Sequence, residues 1–134
     1  MIVEMRTYDL QPGTAAEYAK HYEAGLAHRQ KFSPLGGFFT TEFGPLNRII
    51  HMWPYENLQE RDKIRAEAAS PGQWPPHGEE LIITQESKII TPAPFSPPLR
   101  AAKLGNVYEI RTYTIKPGQM ANVVKAWEVA IEER

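Results

Sequence analysis

The fold is decided by residues 40–53, Thr40-Thr41-Glu42-Phe43-Gly44-Pro45-Leu46-Asn47-Arg48-Ile49-Ile50-His51-Met52-Trp53, which predict two β-strands joined by a tight turn. Gly, Pro and Asn stand together between two β-prone runs, which is typical of a hairpin. Because side chains alternate along a strand, Glu42 lies on one face of the first strand, and His51 and Trp53 share one face of the second. A carboxylate, an imidazole and an indole therefore line a common surface if the register brings the two faces together.

The chain before this hairpin predicts another strand. Residues 2–10 alternate in character, which places Val3 and Met5 on one face and Arg6 and Tyr8 on the opposite face. The sequence Gln-Pro-Gly then ends the strand. We expect a helix to cover the face of Val3 and Met5, so that Arg6 and Tyr8 lie on the uncovered face of the sheet.

Two helices are predicted from their capping signals. Thr14 and Glu17 form a capping box, and tyrosines and leucine at helical spacing follow it. Asn57 and Glu60 repeat the capping pattern and begin a second helix that reaches about residue 69. Each helix is therefore expected to start at a side-chain cap.

The segment after the second helix predicts a loop and a last strand. Residues 73–80 form the loop, which Trp74 is expected to anchor to the body of the domain, and residues 81–90 form the strand. The order strand, helix, strand, strand, helix, strand is the ferredoxin-like βαββαβ arrangement of the α+β class. We expect an antiparallel sheet with two helices on one face, built from residues 1–91.

An internal repeat follows a proline-rich linker at residues 92–106. Residues 107–118, VYEIRTYTIKPG, repeat residues 2–13, IVEMRTYDLQPG, with Glu, Arg, Thr, Tyr, Pro and Gly in the same places. This indicates duplication. We expect residues 107–134 to be a partial second module, whose strand pairs with a sheet edge of its own module or of a partner chain. A truncated copy with a poorly ordered tail is the alternative.

Composition excludes several classes of protein. Fifteen basic residues against sixteen acidic ones give a net charge of −1, so nucleic-acid binding is not expected. Without cysteine, neither a disulfide nor a thiolate metal site can form. No apolar run approaches the roughly 20 residues of a membrane helix, and the first strand begins at once. We expect a soluble cytoplasmic protein with no membrane insertion.

The sequence resembles a known family in its central stretch. The run TTEFGPLNRIIHMWPY at residues 40–55 and the run KIITPAPFS at residues 88–96 are similar to the NIPSNAP family, over roughly residues 2–98 and again from Val107. The resemblance implies a ferredoxin-like fold whose uncovered sheet faces pair into a dimeric α+β barrel, and hence a homodimer. It implies no settled biochemical role.

Side chains on the uncovered face are candidates for the lining of that barrel. Arg6 and Tyr8 are placed there by parity, as are Arg111 and Tyr113 in the repeat. An arginine withdrawn from water needs an anionic partner, which Glu4 or Glu42 can supply. The alternative is an interstrand salt bridge at the dimer interface with no ligand.

His51 is the best single candidate for a general base or a ligand-orienting group, because imidazole titrates near neutral pH. The alternatives are a strand histidine hydrogen-bonded to its neighbours and a Trp53 that belongs to the core. His21 and His28 lack a convincing metal-ligand spacing, and no metal is expected. The predicted pocket residues are Arg6, Tyr8, Glu42, His51 and Trp53.

The expected function is that of a small-ligand-binding or scaffolding homo-oligomer. The chain has no nucleophile elbow, phosphate-binding glycine loop or HExxH pair, so no catalytic residue and no cofactor is predicted. By analogy of fold alone, the alternative is a monooxygenase-like enzyme, in which His51, Arg6 and Tyr8 bind an aromatic or anionic substrate in the barrel cleft. A structural dimer whose register is set by Arg6 and Glu42 is a third hypothesis.

Overall fold

The computed structural model describes residues 1–132, which form two compact units. The first unit contains Met1–Pro92 and Pro98–Ala101, and the second contains the remaining described residues. The regular elements are β1 (Ile2–Leu10), α1 (Ala15–Arg29), β2 (Gly37–Thr40), β3 (Arg48–Tyr55), α2 (Leu58–Ala68), β4 (Ile82–Ile90) and α3 (Met120–Glu132), with a 3-10 turn at Glu79–Leu81.

The first unit is built on a four-stranded antiparallel sheet in the order β2-β3-β1-β4. The strand β1 is central, because it pairs with β3 on one side and β4 on the other. This order and the two helices confirm the predicted ferredoxin-like α+β fold, and β1 has the predicted bounds.

The helices cover the face of β1 opposite to the one expected. Arg6 lies directly opposite His51 on the antiparallel neighbour β3, so the two side chains share a face. Tyr18 and Tyr22 of α1 pack there, with ring centroids 6.1 Å from Tyr8 and 5.1 Å from His51 respectively. The expectation that Arg6 and Tyr8 lie on the uncovered face is therefore wrong.

The charges on this face are accommodated beneath the helices because one carboxylate, that of Glu4, is shared by several arginines. The fully buried Glu4 carboxylate accepts hydrogen bonds from Arg6 at 3.0 Å, Arg61 at 2.7 Å and Ser87 at 2.8 Å, and Arg65 lies 3.8 Å away. Burial acts to raise the pKa of Glu4, but the hydrogen bonds from Arg61 and Ser87 and the charge of Arg65 outweigh it and lower that pKa to about 2. Alternation alone could not reveal this compensation.

The two helix starts differ in their caps. The predicted box at Thr14 is wrong, because its hydroxyl donates to the carbonyl of Gln11 at 2.7 Å and caps no amide of α1. At α2 the cap is confirmed, since Asn57 Oδ1 accepts from the amide of Glu60 at 2.9 Å. The Glu60 carboxylate accepts from the amide of Glu56 at 2.6 Å.

The second unit contains α3, which lies where the sequence predicts the helix of the second copy, and an irregular segment before it. Residues 107–115 belong to none of the strands that the structure describes. Pairing with a partner chain stays a prediction. Residues 133–134 of the predicted module lie outside the described residues.

Candidate functional site

Four of the five predicted pocket residues line one cavity of about 440 Å³ in the first unit. They are Arg6 and Tyr8 from β1, with His51 and Trp53 from β3. The register brings them together, because Arg6 is paired directly with His51. A cavity of this size is in the range of small-molecule sites.

Glu42 lies outside this cavity. It is exposed in the connection at residues 41–47, after β2 has ended, and the residue of β2 that lies opposite His51 is Phe38. Asn47 adopts a positive φ of 56°, which asparagine tolerates better than most residues, and its carbonyl accepts from the end of β1. The predicted tight turn is therefore a longer connection, and the expectation of Glu42 on a strand beside His51 is wrong.

α1 supplies cavity residues that the hairpin pattern does not indicate. Tyr18, Tyr22, Gly25 and Arg29 are its buried residues, and they recur at helical spacing. The cavity is lined by three of them, the two tyrosines and Arg29. The apolar stripe predicted from the tyrosines pointed to this face of the helix, but the arginine on the same stripe was missed.

Arg29 is a buried cation with neutral partners. Its side chain is 2% exposed, Nη1 donates to the Ser33 hydroxyl and Nη2 to the Tyr55 hydroxyl, each at 2.8 Å. The guanidinium carbon lies 4.1 Å from the ring centroid of Trp53, within the range of a cation–π contact. Among residues 1–132, none of the ion pairs includes Arg29. Burial lowers the pKa of Arg29.

His51 presents one hydrogen-bond donor with no partner. Its Nδ1 accepts from the indole of Trp53 at 2.8 Å, and the hydroxyl of Tyr22 lies 3.1 Å from the same nitrogen. Burial, with a smaller contribution from the charge of Arg6, lowers the pKa of His51 to about 3. The imidazole is therefore neutral at pH 7, and because an indole N–H can only donate, its proton is on Nε2. That buried atom has no hydrogen-bond partner in the described chain.

The loop after α2 closes part of the cavity. Trp74 packs edge to face on Tyr22 and Trp53, with centroid separations of 5.4 and 6.0 Å, which confirms that it anchors this loop. The approach needs a glycine on α1, because a Cβ at Gly25 would lie 2.6 Å from the carbonyl oxygen of Gln73. The indole of Trp74 thereby becomes part of the cavity wall.

The ion pair predicted for Arg6 is made with Glu4. Arg6 Nη1 lies 3.0 Å from Glu4 Oε1, while its Nε donates to the Tyr8 hydroxyl at 2.8 Å. The third nitrogen donates to Gln85 at 3.3 Å. Arg6 is therefore both a structural partner of Glu4 and part of the cavity lining.

The described residues provide no metal centre. Within residues 1–132, no group of three or more His, Asp or Glu side chains is placed to hold a metal ion. His28 instead donates through Nε2 to the carbonyl of Ala68 at 3.0 Å, which joins α1 to the end of α2.

Comparison with known proteins supports one family. The sequence pattern that defines the NIPSNAP family matches residues 3–97. A NipSnap homolog from Dictyostelium discoideum is 42% identical over 92 residues, which are 66% of this chain and 41% of that protein. The crystal structure of an uncharacterized NIPSNAP-like domain protein from Burkholderia xenovorans is 40% identical, with a TM-score of 0.66, over 73% of this chain and 90% of that one.

A more distant protein is similar to this chain in fold alone. A putative antibiotic biosynthesis monooxygenase from Nitrosomonas europaea has a TM-score of 0.51 at 6% identity, over 69% of this chain and 98% of that one. The chain spans about half the length of the curated relatives it matches. Because the family pattern covers more than half of the chain, including the whole cavity, this chain belongs to the NIPSNAP family.

Proposed function

We propose that this chain is a small-ligand-binding module, which holds an organic molecule in the aromatic cavity without turning it over. The observation that carries the proposal is the unpartnered Nε2–H of His51 in a cavity of about 440 Å³. A buried donor without an acceptor costs about 1–3 kcal/mol, and an oxygen atom of a bound ligand removes that cost. A small molecule with an acceptor oxygen therefore suits the cavity.

The protonation states around the cavity favour binding over catalysis. Burial lowers the pKa of His51 to about 3, which makes it a weak base at neutral pH. Burial also raises the pKa of Tyr18 and of Tyr22 well above the usual range of tyrosine. These three groups are therefore poorly suited to exchange a proton near pH 7.

Native mass spectrometry of the protein purified gently from its own host tests this function. The wild type is expected to retain a small molecule that a His51→Phe variant of unchanged circular dichroism does not retain. His77→Phe, at an exposed imidazole outside the cavity, is the matched control and should keep the molecule. Bare polypeptide in the wild type would contradict the proposal, and conversion of the released molecule on incubation would favour the monooxygenase-like alternative.

The proposal includes a homodimer formed through the sheet face opposite to the helices. On that face Met5 pairs with Met52 and Thr7 pairs with Ile50, so apolar side chains from adjacent strands lie together. A second copy of the same face covers such a surface in a dimeric α+β barrel.

Light scattering on a sizing column measures the subunit count. Met5→Glu is expected to convert the dimer to a monomer, whereas Ala16→Glu, at an exposed position of α1, should leave it dimeric. A monomeric wild type at micromolar concentration would contradict this part of the proposal.

Location is a separate question. Within residues 1–132, no helix has both the length and the apolar character needed to cross a membrane. The cytoplasmic location stays a prediction from the sequence, and fractionation of the host followed by immunodetection checks it.

A further inference from the structure

The cavity of the first unit carries a surplus of positive charge. Three guanidinium groups line it, those of Arg6, Arg29 and Arg65, together with one carboxylate, that of Glu79. Glu4 offsets part of this charge, since it pairs with Arg6 at 3.0 Å and lies 3.8 Å from Arg65. Because Arg29 has no such partner, the charge that best complements the site is negative.

Arg29 can still donate to a ligand. The two terminal nitrogens of a guanidinium carry two N–H groups each, and the hydroxyls of Ser33 and Tyr55 engage one on each nitrogen. A hydroxyl is neutral and compensates a buried cation only in part. An oxyanion that reaches this guanidinium supplies the opposite charge that the described chain does not.

Trp53 connects the two donors of the cavity. Its indole N–H bonds to Nδ1 of His51, and its ring lies beneath the guanidinium of Arg29, 4.1 Å from the centroid to the guanidinium carbon. The neutral Nε2–H of His51 and the charged N–H groups of Arg29 are thus positioned by one buried side chain, which is 2% exposed. Each of the two donors can bond to an oxygen atom of a carboxylate.

Aromatic rings form much of the remaining wall. Trp74 meets Tyr22 at 76° and Trp53 at 79°, and Tyr8 meets His51 at 83°. Such edge-to-face clusters accept a further planar ring, which packs against the faces and edges they present. A cavity of about 440 Å³ has room for a molecule of one or two rings.

We propose that the cavity binds an aromatic carboxylate, whose oxygens accept hydrogen bonds from His51 Nε2–H and from Arg29 and whose ring packs beside Trp53 and Trp74. The inference rests on the ligand-binding function proposed above, and it specifies the charge and shape of the ligand. Every donor and ring that it uses lies within the first unit.

Calorimetric titration with matched acids and amides tests the class of ligand. At pH 7 and low ionic strength, 2-naphthoate is expected to bind at least about tenfold more tightly than the isosteric neutral 2-naphthamide, and benzoate more tightly than benzamide. Benzoate should also bind more tightly than cyclohexanecarboxylate, which keeps the charge and lacks the aromatic ring. Arg29→Gln should bring the affinities of each acid and its amide close together.

Arg100→Gln is the matched control, since Arg100 is exposed and does not line the cavity. It should keep the wild-type preference for acid over amide. If Arg29→Gln fails to fold by circular dichroism, Arg65→Gln carries the test, because Arg65 lines the cavity with 40% of its side chain exposed. That variant should reduce the preference by a factor of about three or more.

Two results would overturn the inference. Equal affinity of the wild type for acid and amide would show that charge is not recognised, while ligand binding itself would stand. If none of the five probes binds, aromatic carboxylates of one or two rings are ruled out as ligands. Native mass spectrometry of the protein from its own host would then show separately whether the cavity holds another molecule.

Discussion

The indole Nε1 of Trp53 donates a hydrogen bond to Nδ1 of His51 over 2.8 Å. The two residues stand two apart on β3, so the strand itself places both side chains on one face. Because the indole can only donate, this bond leaves the imidazole proton on Nε2. A pair of neighbouring side chains thereby determines which hydrogen-bonding group the cavity offers to a ligand.

Trp53→Phe is expected to lower the free energy of unfolding by about 2–3 kcal/mol, because it removes a buried donor and replaces the indole beneath Arg29 by a smaller ring. Urea unfolding followed by circular dichroism measures the change. Trp74→Phe is the control, since the Trp74 indole makes no hydrogen bond within the described chain and the residue is only half buried. Equal losses in the two variants would contradict the importance of the bond to His51.

The stability of the protein is expected to fall as the pH decreases from about 6.5. The pKa of His51 is lowered from 6.5 to about 3 in the folded state, so between these values the unfolded chain binds a proton that the folded chain does not. This group alone gives a slope of about 1.4 kcal/mol per pH unit. Glu4 acts in the same direction at lower pH, since its pKa is lowered from 4.5 to about 2.

Urea unfolding at pH 7.5, 6.5, 5.5 and 5.0 separates the contributions of His51 and Glu4 to stability. These pH values lie above the range in which the Glu4 carboxylate takes up its proton, so only His51 is expected to contribute to the slope. His51→Asn should remove most of the slope in this interval. His77→Asn controls for the loss of one exposed imidazole and should keep the wild-type slope. A slope that survives in His51→Asn would refute the assignment.

Glu4→Gln is expected to destabilise the first unit by about 3–5 kcal/mol, because it leaves guanidinium groups beneath the helices without their shared carboxylate. Asp62→Asn is the matched control. Asp62 also pairs with Arg61, at 2.7 Å, but its side chain is 72% exposed, so its loss should change the stability by less than about 0.5 kcal/mol. Midpoints of guanidinium unfolding compare the two, and a small effect of Glu4→Gln would disprove the central role of this carboxylate.

Gly25→Ala is expected to destabilise the protein by about 1–3 kcal/mol, although alanine is the better helix former. The new Cβ would lie 2.6 Å from the backbone oxygen of Gln73 and 3.2 Å from the ring of Trp74, so the loop that closes the cavity must move. Ala24→Gly, at the exposed neighbouring position, should cost about 1 kcal/mol through helix propensity alone. A stabilised Gly25→Ala variant would mean that the loop adjusts freely.

The order of elements and the fold class could be predicted from local signals. Alternation gave the bounds of β1, the cap at Asn57 marked the start of α2, and proline and tryptophan in the loop indicated an anchored connection. These features depend on neighbours in sequence, which is why they were accessible without the structure.

The covered face of β1 could not be predicted in this way. Glu4 and Arg6 alternate with Val3 and Met5, so the rule that charges face water pointed to the wrong side. Long-range contacts, such as the bond from Arg61 on α2, show that Glu4 is buried with its charge compensated. In the cavity, the register of β1 and β3 places Arg6 opposite His51, and both are predicted pocket residues. Glu42 lies outside the cavity because the connection before β3 is longer than a tight turn.

Arg29 was missed although a signal was present. It stands on the same helical stripe as Tyr18 and Tyr22, seven residues after Tyr22, but a stripe of buried residues is usually sought among apolar types. Extending the helical spacing to charged residues would have placed it beside the tyrosines. Its neutral partners are Ser33, which follows four residues later beyond the end of α1, and Tyr55 on β3, and only the structure shows that both bond to the guanidinium.

The Glu-x-Arg ion pair occurs in both units, at Glu4–Arg6 inside the sheet and at Glu109–Arg111, where Arg111 Nε lies 2.7 Å from Glu109 Oε1. In both units the two charged residues are separated by one position, so the pair joins near neighbours in the sequence. Closing so short a loop costs little chain entropy. Among the groups that bond to the buried Glu4 carboxylate, Arg6 is therefore the one held close at the smallest entropic cost, whereas Arg61 and Ser87 come from distant parts of the chain.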